Sequence, residues 1–145
     1  MYEFIIHDDA TGDLREILAA DRAAGVKLAA FLAQLRVDQD LLDRLSQSDY
    51  GGSPARPRPR SATFNVGMWV AAQQKGMNLW RLRCFTDEIV GYRLIYAFLP
   101  ATDQYVLLAI AEKAEVHDKD DERFDYELKH EIASRVINSY RDLVD

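Results

Sequence analysis

The sequence predicts an α+β domain, an antiparallel sheet with an N-terminal helical hairpin packed on one face and a C-terminal helix. Three observations predict it. Apolar residues recur at helical spacing over residues 14–36 and again over 128–143. From Thr63 onward, four segments rich in β-branched and aromatic residues are separated by short turn-forming links. The resulting order of strand, helices, several strands and helix is that of helices gathered on an antiparallel sheet, with the other sheet face left for solvent or a ligand.

Residues 2–7, YEFIIH, have the content of a first strand, and DDATGD supplies turn and N-cap residues. Leu14, Ile17, Leu18, Val26, Leu28, Phe31, Leu32 and Leu35 then form an apolar stripe. Gly25 either divides this stripe into two helices or leaves a kink. Asp38 is placed to cap a short third helix through QDLLDRLSQ. The stretch SDYGGSPARPRPRSA reads as a loop at about residues 50–62, in which three arginines alternate with prolines. Such a segment is either a mobile connection or an arm that embraces a nucleic acid or a protein. TFNVGMWVAAQ, NLWRLRCF, YRLIYAFL and YVLLAIAEKAE read as strands, joined by QKGM, TDEIVG and PATDQ. DKDDERFD is a charged turn, and YELKHEIASRVINSYRDLVD closes the chain as an amphipathic helix.

The length of 145 residues suits one domain, residues 1–145. No apolar run approaches the ~20 residues of a membrane helix. No secretory signal is visible at the N-terminus, and the lone Cys84 forms no internal disulfide. Three scattered histidines give no zinc spacing. A cytoplasmic protein is expected, with no membrane, metal, cofactor or small-molecule ligand.

The net charge of −6 hides an uneven distribution. Residues 51–83 carry six bases, Arg56, Arg58, Arg60, Lys75, Arg81 and Arg83, and no acid. Both flanks are acidic, with ten acids against five bases in residues 1–50 and again in 115–145. A basic segment keeps its local field in an acidic chain, so the middle can bind a polyanion. Strand alternation places Trp80, Leu82 and Cys84 on one face and Arg81 and Arg83 on the other. In the next strand Arg93 lies opposite Tyr92, Leu94, Tyr96 and Phe98. Arg81, Arg83 and Arg93 are thus expected to share the open face, where a guanidinium fork suits phosphate oxygens. The structural alternative pairs them with Asp87 or Glu88.

The set LWRLR, GYRLIYAF and VLLAIAEKAEVHDKD, within residues 79–117, resembles the RelE/ParE superfamily of toxins from bacterial type II toxin–antitoxin systems, and within it the RelE/HigB-like branch. The resemblance implies a metal-independent endoribonuclease that cuts mRNA on the ribosome through attack of a ribose 2′-hydroxyl, an mRNA interferase inhibiting translation. It implies as partners a cognate antitoxin, the ribosome and mRNA. On the matching positions it makes Arg81 and Arg83 phosphate clamps, and it places Arg93 and Lys113 in the catalytic set. The chain departs from the pattern at Ala114, where relatives have arginine, and its tyrosine candidate, Tyr126, comes only after an acidic insertion. Phe124 is the other aromatic at that point. His117 stands where several relatives place a histidine, whose titration near neutral pH suits a base or an acid. Arginine stays protonated, so the base falls to His117, with Tyr126 and Lys113 behind it. Residues 115–127 hold seven acids and two bases, which suits RNA poorly. Two readings without nuclease activity therefore stay open, a ParE-like inhibitor of DNA gyrase and an inactive binding or regulatory module of the same fold.

Overall fold

A four-residue strand, β1 (Glu3–Ile6), opens the chain and ends against its first helix, α1 (Asp8–Ala20). His7 makes that junction, because its Nδ1 accepts from the Asp9 amide and caps the helix. The computed structural model describes residues 1–112 and 131–145. α2 (Arg22–Val37) follows after a break at Asp21, whose side chain accepts from the Ala24 amide. The break thus falls at this cap and not at Gly25. Gly25 has a different task, since a Cβ there would lie 2.5 Å from Leu18 Cδ2 and 2.8 Å from Leu18 Cα. Its bare backbone lets α1 and α2 cross in contact. Asp38 caps α3 (Gln39–Arg44) through the Leu41 amide, as the sequence predicts.

The sheet is built from β4 (Phe64–Met68), β5 (Leu79–Cys84), β6 (Tyr92–Leu99) and β7 (Gln104–Glu112), with β1 added at the far edge. Its order is β1–β7–β6–β5–β4. All pairings are antiparallel except β1 with β7, which is parallel. The expected strand through TFNVGMWVAAQ stops early. Trp69 donates its amide to Leu79 O, and Val70–Gln74 turns into a short helix, α4. Alanine and glutamine are good helix formers, and here they outweigh the aromatic and β-branched start of the segment. The last helix is α5 (Glu131–Val144).

The sheet carries a core on each face. On one side Leu28, Leu32, Leu35, Leu42 and Leu45 pack on Phe64, Trp80, Leu82, Leu94 and Tyr105. On the other, Ala133, Val136, Ile137 and Tyr140 of α5 join Trp69 and Ala72 over Leu79, Ile95, Ala97, Leu108 and Ala109. The expectation of one open face is corrected accordingly. β7 is apolar on both sides because both sides are buried, and Arg81, Arg83 and Arg93 lie at 6%, 5% and 1% exposure. Among the described residues no helix is long and apolar enough to cross a membrane.

One polar node ties α5 to α1. Asp13 accepts from Arg135 Nη1 at 2.9 Å and Nη2 at 2.6 Å, and its Oδ2 also accepts from the Ile110 amide at 2.9 Å. The bond to Asp13 raises the pKa of Arg135 further above its ordinary value. Ser139 Oγ donates to Asp9 beside it. Asp13→Ala is expected to cost about 2 kcal/mol, since it strands a strand amide and a half-exposed guanidinium together. Arg135→Ala strands neither and should cost roughly half as much. Denaturant unfolding of both variants checks this, and equal midpoints would show the Ile110 bond to be worth nothing.

Candidate phosphate-binding cleft

β5 sets the first two side chains. Its alternation turns Trp80, Leu82 and Cys84 into the core beneath α2 and turns Arg81 and Arg83 to the other face. β4 shapes the ground beside them. Asn65 stands opposite Arg83, and Gly67 stands opposite Arg81. With no side chain at Gly67, the Arg81 guanidinium lies over its backbone, where an added Cβ would sit 3.3 Å from Nη2 and 3.4 Å from Cζ. Arg81 Nη1 donates to Asn65 Oδ1 at 2.5 Å, and Asn65 Nδ2 donates to Gly52 O at 3.1 Å. Asn65 is neutral, so it orients the guanidinium without itself adding a negative charge.

The basic loop supplies the opposite wall. It is held in place and is not a mere connection. Asp49 N donates to Val66 O and Val66 N donates to Tyr50 O, so the loop's start lies along β4. Two short strands, β2 (Gly51–Gly52) and β3 (Pro57–Arg58), pair antiparallel. A turn joins them, in which Ser53 N donates to Arg56 O and Arg56 N donates to Ser53 O. Gly51 has φ +100°, and a Cβ there would meet Phe64 O at 2.0 Å. Only glycine permits that approach of loop to strand. Tyr50 anchors the base of the loop, its ring centroid 5.3 Å from that of Phe64 and 5.4 Å from Arg44 Cζ.

Between wall and sheet lies a cleft of about 980 Å³. Arg56 and Arg58 line it from the loop, Arg81 and Arg83 from β5, with Asn65 and Val90 beside them. Among the described residues, Asp49 is the one acid in the lining. Four arginines from two stretches of chain thus line one space, which favours a ligand with several anionic oxygens.

The structure brings together four of the basic residues singled out in the sequence. Arg60 and Lys75 are exposed and do not line the cleft. Arg93 shares the arginine face and also does not line the cleft. Its Nη1 donates to Val90 O at 3.0 Å and Tyr92 O at 3.2 Å, bonds that hold the entry to β6. Lys113, His117, Phe124 and Tyr126 lie outside the described residues, as does the acidic stretch of 115–127. Cys84 is buried under α2, and burial pushes its thiol up to about 12, so it is no nucleophile at neutral pH. Sequence reasoning missed Asn65 and Gly67. The signal was present in FNVGM, where a polar residue and a glycine alternate with core residues on the arginine side.

Compared with models of known families and with curated proteins, the chain matches none.

Proposed function

We propose that the protein is a RelE-like toxin of a type II toxin–antitoxin system, an endoribonuclease that grips mRNA in the arginine cleft and cuts it on the ribosome. One observation carries the reading, the convergence of Arg56, Arg58, Arg81 and Arg83 on a single cleft in which Asp49 is the one acid among the described residues. A phosphodiester chain presents anionic oxygens at regular intervals, and spaced guanidiniums suit it better than they suit a single small anion. The α+β order and the motifs of residues 79–117 support the same family. The chemistry in this reading falls to His117, with Lys113 and Tyr126 near it in sequence. The cognate antitoxin covers the cleft with an acidic segment, and the site of action is the cytoplasm, where ribosomes are.

Expression without a partner is expected to stop protein synthesis promptly, with new 5′ ends appearing within translated messages. Pulse labelling of protein and DNA, together with mapping of mRNA ends, checks this. Replication that halts first, with messages intact, would sink the nuclease reading.

A second reading has one observation in its favour. Arg93, which the resemblance places among the groups at the reacting phosphate, is buried against backbone carbonyls and is absent from the cleft lining. A chain that binds in its cleft without cutting, as a gyrase inhibitor or a regulatory module, would use Arg81 and Arg83 but not Arg93. Binding of an oligoribonucleotide with no cleavage on or off the ribosome is the outcome that favours it.

A further inference from the structure

We infer that Asn65 is a positioning residue, the bridge that fixes the Arg81 guanidinium and the basic loop in register so that both reach the same strand of nucleic acid. The inference rests on the reading of the cleft as an RNA site. It follows from the hydrogen-bonding character of the two partners. A guanidinium only donates, and a backbone carbonyl only accepts. The group between Arg81 Nη1 and Gly52 O must therefore accept on one side and donate on the other. A carboxamide does both at fixed geometry. An aspartate would meet Gly52 O with a second acceptor, and an apolar residue would satisfy neither. Asn65 is itself 5% exposed, so water does not readily stand in for it.

The position of the bridge explains why it couples two walls. Gly52 belongs to β2, which pairs with the strand holding Arg58: Gly51 with Arg58, and Gly52 with Pro57. Arg81 lies over Gly67 on the sheet. Asn65 thus links the loop arginines to the sheet arginines, adding to the backbone bonds of Asp49 and Tyr50 with Val66 a contact that places the Arg81 guanidinium relative to the loop. Phosphates along a strand have a fixed spacing, so a clamp with its halves out of register loses contacts even though no charge has been removed.

The test measures binding of a short single-stranded oligoribonucleotide across salt concentrations, together with ¹⁵N spectra of arginine side chains, for wild type, Asn65→Ala, Asn65→Asp and Gly67→Ala. In wild type the Arg81 Nη signals are expected to be resolved, because a held guanidinium rotates slowly. In Asn65→Ala they shift and exchange faster, and affinity falls about tenfold, the loss of one hydrogen bond to a charged group. The salt slope falls by roughly 0.7 as one phosphate contact is lost. Asn65→Asp keeps the Arg81 signals resolved yet binds more weakly than Asn65→Ala, because it adds a negative charge to the cleft and sets a carboxylate oxygen against Gly52 O. Gly67→Ala pushes the guanidinium a few tenths of an ångström and lowers affinity with Asn65 intact. It also serves as the second variant if Asn65→Ala fails to fold. Arg81 signals unchanged in position and exchange rate in Asn65→Ala, or an unchanged salt slope in both alanine variants, overturn the inference. Failure of the wild type to bind any oligoribonucleotide overturns the RNA reading instead, and the side-chain spectra still decide whether Asn65 holds Arg81.

Discussion

Replacing Arg93 with alanine is expected to destabilise the fold by about 3–5 kcal/mol, the cost of emptying the space of a large buried side chain and taking the donor from two carbonyls. The side chain is 1% exposed, and its Nη1 serves the carbonyls of Val90 and Tyr92 at the entry to β6. Without it those acceptors lose their donor, and a cavity of arginine size opens beside β7, where Arg93 pairs in register with Ala111. Both effects act on the folded state whatever the ligand. Arg93→Lys keeps the charge and much of the stem but loses the planar fork, so it should recover only part of the loss. Denaturant unfolding of the two variants without RNA checks this. A midpoint for Arg93→Ala equal to that of wild type would show that the residue is not structural, and would return it to the catalytic set that the resemblance implies.

The second large effect is chemical. His117→Ala is expected to slow single-turnover cleavage of a ribosome-bound message by about 10²–10⁴-fold and leave binding nearly unchanged, as removal of a general base does. A base works in its neutral form. An ordinary histidine titrates near pH ~6.5, so the wild-type rate should fall as pH drops through that region. The variant should lose this limb and run flat at its residual rate. Arg81→Ala, by contrast, should weaken binding and be partly rescued by more ribosomes. Cleavage by His117→Ala at the wild-type rate with the wild-type pH profile would pass the role of base to Tyr126 or Lys113, or remove the nuclease reading.

Local signals fixed much of this structure, and what they missed is long-range. Alternation located β5 and β6 to within a residue or two, since each puts one apolar face into the core that α2 shares. Asp38 announced α3 because capping is a local hydrogen bond. The parallel pairing of β1 with β7 was not legible, because nothing within four residues encodes which distant edge they join. The burial of the arginines was also hidden in β5 and β6. Its signal lay in β7, where the apolar run from Tyr105 to Ala111 does not alternate and so belongs to a strand covered on both faces. The convergence of the loop arginines on Arg81 and Arg83 depends on Gly51 and Asn65, which mean little until the strand beside them is known.

The bond from the Ile110 amide to Asp13 has a consequence for how the molecule behaves in company. β7 is nine residues long and β1 only four, so the margin of β7 past Leu107 would otherwise offer bare backbone to any extended chain. His7 N occupies Leu107 O, and Asp13 occupies Ile110 N. On the opposite margin the groups of Val66 are taken by Asp49 and Tyr50. At these positions a second copy finds no template on which to lengthen the sheet, which guards the protein against fibre-like self-association there. A partner denied the backbone there meets the protein through its side chains, and among the described residues the cleft gathers four arginines for such a contact.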